Sequence, residues 1–400
     1  MEKWAMFIDF VLIAGMSLLG LTMLFLVKSK VNFFQKALIV FFMNAIFFLL
    51  YYYSYLHRLK FMGAIAFLLG NGTGFLLGPF LLFQLKSLVL PKSQYINSLY
   101  KHLIPFAIVW LVVSVPVFIS MATDYFTNYG EFYANYGYYL NITENLFFLA
   151  YILSSFRLLK KIQKASKENY SSIEKNDLNW YKHLLIGFIF IIVVDSLCTV
   201  YELIYPMVHW NIGNVVTFSF VFLYGYLAYK GMFQSQILIP DFLLQKMPAV
   251  SYDTENNTTE TEAPVQKTVV KHLDSHTSDE IEKLKKDLFD ILKNKKLYLN
   301  DSLNLTELAE EMGITNKKLS ELLNQHLNIS FYTLINDYRV AEVIERMKSY
   351  DADKYTLLGI AYEAGFQSKA SFNRIFKQKT GISPSKYKKE MDHELEPVGK

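Results

Sequence analysis

The stretch Thr356–Lys389, TLLGIAYEAGFQSKASFNRIFKQKTGISPSKYKK, decides how the end of this chain folds. Two short helical patterns flank the turn Ala364-Gly365-Phe366-Gln367-Ser368, the layout of a helix-turn-helix. Ala361 and Ala364 are small where two helices must cross closely, Gly365 permits the turn, and Phe366 fills a miniature core. Ser368 is placed to cap the next helix, whose free amide end suits a phosphate. Phe372 and Phe376, four apart, point inward; Lys369, Ala370, Ser371, Asn373 and Arg374 then cover the outward N-terminal turns. Gly381 ends that helix and Pro384 starts the last one. Between Phe366 and Lys389 there are seven Lys/Arg and no Asp or Glu, a cationic surface suited to a phosphate backbone.

Upstream, the same architecture occurs a second time. Helical periodicity begins at Ser278, a candidate N-cap, with Ile281, Leu284, Leu288 and Leu292 on one stripe. In Leu305–Thr315 a short helix ends at Gly313, and Thr315 caps a second helix, Asn316–Leu327. A longer helix, Phe331–Met347, sets Phe331, Leu334, Ile335 and Tyr338 on one stripe and Val340, Val343, Ile344 and Met347 on another, roughly opposite. Such a helix suits a connector packed against one module at each end. Its length of roughly 25 Å is comparable with the roughly 34 Å between successive major grooves.

On these motifs, residues 281–389 resemble the DNA-binding domain of AraC-type transcription regulators, about a quarter of the chain. The tail at 360–389 is the specific part, and FYTLINDYRVAEVIERM at 331–347 is similar to the family's connecting helix. The resemblance implies base contacts from Lys317, Ser320 and Glu321 in the first motif, with Thr315 and Lys318 near phosphate. In the second it implies base contacts from Lys369, Ala370 and Arg374, with Lys377 near phosphate. Glu321 and Asn324 stand where the family commonly carries basic residues.

The front of the chain is of another kind. With 52% hydrophobic and 16% aromatic residues, the 400-residue chain is too apolar for an average soluble protein. Seven apolar stretches precede residue 232: Trp4–Val27, Ala37–Tyr55, Phe61–Leu85, Leu103–Ala122, Tyr138–Phe156, Leu184–Tyr205 and Ile212–Tyr229. Each has about the 17–25 residues a helix needs to cross a bilayer. The fifth is the weakest, since it carries Asn141 and Glu144. Loops after the first, third and fifth stretches hold thirteen Lys/Arg, and those after the second, fourth and sixth hold only Arg58 and Lys60. The positive-inside rule then predicts an external N-terminus and a cytoplasmic C-terminus. The first stretch has no clear cleavage site and reads as a retained helix. This half resembles, more loosely, the sensor half of membrane-anchored relatives found in some bacteria, which implies the bacterial inner membrane.

Polar groups interrupt the apolar stretches at Asp9, Asn44, Asn71, Thr73, Asp195, Glu202, Asn211 and Asn214. Intramembrane carboxylates are costly and face a bundle interior or a wet cavity. Asn71, Thr73, Asp195, Glu202 and Asn214 are therefore the candidate sensor pocket; the competing reading puts Glu202 and Asn211 at the outer interface and has Asp195 hydrogen-bond a neighbouring helix. Gly70-Asn71-Gly72-Thr73-Gly74 with Gly78-Pro79 marks a close-packed or broken third helix.

The expected organisation is all-α: a seven-helix transmembrane bundle at 1–232, a largely disordered acidic linker at 233–277, a soluble double helix-turn-helix domain at 278–391 and a tail at 392–400. No nucleophile–base constellation, metal spacing or phosphate loop is visible, so neither an enzyme nor a cofactor is expected. His272 and His276 lack a third ligand, and Cys198, the single cysteine, has no intramolecular partner. Expected partners are double-stranded DNA at promoter sites, the lipid bilayer and an unidentified small-molecule or membrane signal. Pairing of two chains is left open. The rivals are a transporter or enzyme with a fused regulatory domain, and a non-specific membrane–DNA anchor.

Overall fold

Long apolar runs satisfy their backbone polar groups most simply as helices, and the front half follows that rule. The computed structural model describes residues 2–28, 33–123, 125, 127–172, 178–204, 219, 221–227, 229–230, 278–348 and 355–395. Two compact units emerge: 1–161 with 178–238, and 162–177 with 239–400. Secondary structure among the described residues is helical, apart from one antiparallel bridge between Tyr170 and Asn304.

Among the described residues six helices are long and apolar enough to cross a membrane: Met6–Val27, Phe33–Leu56, Lys60–Val89, Lys92–Ala122, Asn135–Asn169 and Asn179–Tyr201. Half of the expected seventh stretch, Ile212–Tyr229, lies outside the described residues, as do Asn211, Asn214, the linker 233–277, His272 and His276. The third is broken, as its glycines predict: Lys60–Gly70 and Thr73–Val89 meet at Gly72, whose φ of 77° is left-handed. Close packing explains the neighbouring glycines. A Cβ on Gly74 would stand 2.7 Å from Glu144 Cγ, and one on Gly78 would stand 3.2 Å from Tyr151. Thr127–Asn169 is a single helix, longer than its apolar portion, and residues 162–169 belong to the second unit.

The second unit contains two cores. One gathers Leu288 and Leu292 with Leu305, Leu308, Leu319, Leu322, Phe331, Leu334 and Ile335. The other gathers Val340, Val343 and Met347 with Ile360, Ala361, Ala364, Phe366, Phe372 and Phe376. The connecting helix, Phe331–Lys348, gives its first stripe to one core and its second to the other, as its periodicity predicts. Tyr332 is the exception: although on the first turn, it packs in the second core. The last helix, Pro384–Leu395, runs past the boundary expected at 391.

Candidate nucleic-acid interface and cavity

The second motif consists of helix Leu357–Glu363, a turn, and helix Lys369–Thr380. Thr356 caps the first helix by accepting from Gly359 N at 3.1 Å, and Ser368 caps the second by accepting from Ser371 N at 3.2 Å. In the turn, Gly365 has a φ of 92°; a Cβ there would lie 2.5 Å from Tyr298 O and 2.9 Å from Leu299 O. The turn glycine thus serves two ends, since it also lets the backbone after helix Ser278–Lys295 approach the second motif. Lys369, Ala370, Asn373, Arg374 and Lys377 are exposed. Arg374 donates through Nη2 to Tyr332 Oη at 2.8 Å, which steadies an otherwise long side chain. Ser371 was expected on the outer face but is buried, because its N–H and Oγ both bond back to Ser368.

The first motif is less open. Thr315 caps helix Asn316–Glu321 by accepting from Lys318 N at 3.3 Å. The helical run then continues as a wider turn over Leu322–His326. Lys317 and Lys318 are half-buried, while Ser320 and Glu321 are only 1% and 5% exposed. Asn324 donates to Ser320 O at 2.9 Å. Of the expected base-contacting side chains of this motif, Ser320 and Glu321 are therefore covered, while Lys317 stays partly exposed. A capping box that sequence reading missed, Asn304 with Glu307, starts the preceding helix, and its Asn-x-x-Glu spacing is visible in the chain.

At the middle of the connecting helix lies Arg339, almost fully buried and hydrogen-bonded on every donor. Nε bonds Tyr298 O (2.8 Å); Nη1 bonds Ser171 O (3.2 Å) and Asn336 Oδ1 (3.5 Å); Nη2 bonds Ser171 Oγ (3.0 Å) and Asn300 O (2.8 Å). Burial lowers its pKa to about 10, with Asp301 acting in the opposite sense, so the guanidinium stays charged at neutral pH. Ser171 comes from residues 162–177, far away in sequence, and Asn336 also donates to its carbonyl at 2.9 Å. Beside Arg339, Glu342 accepts from Lys296 (3.0 Å), Tyr298 Oη (2.9 Å) and Arg346 Nε (2.9 Å).

The first unit holds a partly open cavity of about 310 Å³. Three of the five candidate sensor residues line it: Asn71, Thr73 and Asp195. Asn214 lies outside the described residues, and Glu202 falls on helix Asn179–Ile204 without a described side chain. Sequence reading left out Glu144, Asn141 and Asn145, which also line the cavity. Glu144 accepts from Gly74 N at the broken helix, and Asn145 donates to Asp195 Oδ2 at 2.9 Å. The signal was in the chain: Glu144 is the charge that weakens the fifth stretch, and the cost of such a group is itself the pointer to a cavity. Among the described residues no group of three or more His, Cys, Asp or Glu is arranged to hold a metal ion.

Residues 308–390 match the model of a helix-turn-helix domain family. With the two cores and the shared connecting helix, this defines the C-terminal part of the chain as an AraC-type helix-turn-helix domain. Two uncharacterized HTH-type transcriptional regulators of Staphylococcus aureus, from strains COL and N315, are each 32% identical over 92 residues. That is 23% of this chain and 12% of each relative, so the chain spans a small part of the curated relatives it matches. No solved structure matches the chain.

Proposed function

We propose that this chain is a membrane-embedded, sequence-specific DNA-binding transcription regulator that couples a signal received in its first unit to promoter binding. The observation that carries the reading is the second motif: a capped helix, Lys369–Thr380, presents Lys369, Asn373, Arg374 and Lys377 to solvent with no acidic neighbour on that segment. Such a surface matches the negative, donor- and acceptor-lined major groove. Membrane insertion is supported by the first helix, where Phe10, Leu21 and Phe25 are 69%, 67% and 60% exposed; contiguous exposed apolar surface of that kind belongs against lipid. Seven spans, an external N-terminus and a cytoplasmic domain complete the topology, as the positive loops argue. The cavity is the signal site of this reading, and the chain is not an enzyme. The test is genome-wide DNA capture with the intact chain in its membrane. Enrichment of a defined sequence motif is expected; uniform recovery of DNA would reduce the protein to a non-specific anchor.

A further inference from the structure

We propose that the cavity of the first unit binds a small organic amine with an apolar body. Two carboxylates, Glu144 and Asp195, face it from two different helices, and among the described residues no Lys, Arg or His lines it. Each carboxylate makes one hydrogen bond, to Gly74 N and to Asn145 respectively, out of about four acceptor sites. Charge in such a low-dielectric site calls for a cationic partner. Phe48, Tyr51, Phe67, Tyr133 and Phe148 supply ring faces, which attract an ammonium group and pack an apolar body. Two carboxylates fall short of the six to eight oxygens a calcium ion takes, whereas an ammonium needs three acceptors. At about 30 Å³ per atom-sized volume, the cavity of about 310 Å³ has room for roughly ten non-hydrogen atoms.

This ligand class rests on reading the cavity as the signal site, but binding is measured without DNA, so the two claims fail separately. The test uses the full chain in lipid nanodiscs, with 2-phenylethylamine as the probe and 2-phenylethanol and calcium chloride as controls. The amine should raise the melting temperature by a few degrees, the alcohol and calcium should not, and Glu144→Gln and Asp195→Asn should each abolish the response. Equal stabilisation by the alcohol, stabilisation by calcium alone, no response to the amine, or an undiminished response in both variants would overturn the assignment. Asn145→Asp, which adds negative charge at the same place, should instead strengthen amine binding, and it guards against variants that merely fail to fold.

An independent observation carries a second inference. We infer that residues 170–172 are an autoinhibitory strap of the helix-turn-helix domain. Ser171 supplies two of the five acceptors of Arg339, receives Asn336, and donates its N–H and Oγ to Leu303 O; Ser172 bonds Gln367 in the turn of the second motif. The fit is tight: the space left among Ser171, Ser172, Gln367 and Ser371 is about 10 Å³. The strap therefore lies beside the start of the recognition helix Lys369–Thr380, the end that a DNA backbone must approach. It also directly continues helix Thr127–Asn169, which carries Glu144 and Asn145 into the cavity.

The strap presupposes that the domain binds DNA, and the wild-type chain supplies that control. Full-length protein in nanodiscs is titrated with a generic duplex at fixed salt, as wild type, Ser171→Pro, and the milder Ser171→Ala/Ser172→Ala pair. Ser171→Pro removes the N–H and hydroxyl of the strap and should tighten DNA binding about tenfold, the double alanine variant less. Unchanged or weaker binding in the alanine pair, with wild-type melting temperature, overturns the strap while leaving DNA binding intact. Absence of DNA binding in every form would count against the regulator reading itself.

Discussion

Replacing Gly365 by alanine tests whether the two motifs form one body through the connecting helix. Gly365 sits at a φ of 92°, where a residue with a Cβ pays about 1–2 kcal/mol. Its new Cβ would also stand 2.5 Å from Tyr298 O, 2.9 Å from Leu299 O and 2.9 Å from Arg339 Nε. Two of those atoms are main-chain carbonyl oxygens, so relief requires moving backbone. The same Cβ crowds the 2.8 Å bond from Arg339 Nε to Tyr298 O, and a lost hydrogen bond to a charged group costs about 1.5–3 kcal/mol. Together these give a loss of about 3–5 kcal/mol, a large part of the stability of an ordinary domain. Gly381→Ala is the matched control: φ is 85°, but nothing lies within 4 Å of the added carbon, so only the backbone term of about 1–2 kcal/mol applies. Urea melts of the fragment 278–400, which contains both cores, should show a far lower midpoint for Gly365→Ala than for Gly381→Ala. Equal midpoints would refute the close approach between the turn and the backbone at Tyr298–Leu299.

Further outcomes are expected. Arg374→Ala should lose about 1–3 kcal/mol on the target sequence and little on random duplex, whereas Lys377→Ala should weaken both alike; equal losses for Arg374→Ala would assign it to phosphate. Burial pushes the Glu342 carboxyl up, but Lys296, Arg346 and Tyr298 outweigh it and hold it below the ordinary 4.5. A folded pKa below the unfolded one gives stability that is present above the unfolded pKa and lost as pH falls through the folded one. Glu342→Gln should therefore cost on the order of 3 kcal/mol at neutral pH and flatten the decline below about pH 4.5, read by urea melts across pH; a parallel acid limb in the variant would contradict it. Reporter fusions after Lys230 and at Tyr129 should report the cytoplasm and the exterior respectively; both on one side would overturn the seven-span topology.

Much of the second unit was legible because its information is local. Glycines at 313, 365 and 381 all take positive φ, and Ser368 and Thr315 both cap helices. The two stripes of Phe331–Lys348 could be assigned to two cores from a 100° rotation per residue alone. In the first unit the glycine-rich break at 70–74 was equally readable, since only a left-handed residue and closely crossing helices call for that pattern. Side-chain placement was harder. Ser371 was read on the outward turns, and the resemblance put Ser320 and Glu321 at the bases, yet all three are buried, because caps and neighbouring segments decide exposure once a helix is short. Ser171 was invisible: it sits in a polar loop between apolar stretches, and its partner Arg339 lies 168 residues away. No spacing rule reaches that far.

Arg339 shows why that long-range contact has a function beyond packing. A buried guanidinium is costly unless every donor is met, and removing one partner leaves the rest of the cost in place. Three of its acceptors, Tyr298 O, Asn300 O and Asn336 Oδ1, belong to the domain itself; the other two arrive on Ser171. Here the connecting helix is completed by Ser171, so on the strap proposed above the docking of that one residue would be felt at Arg339, between the two motifs. A ligand shifts such an equilibrium only as far as it distinguishes docked from undocked forms.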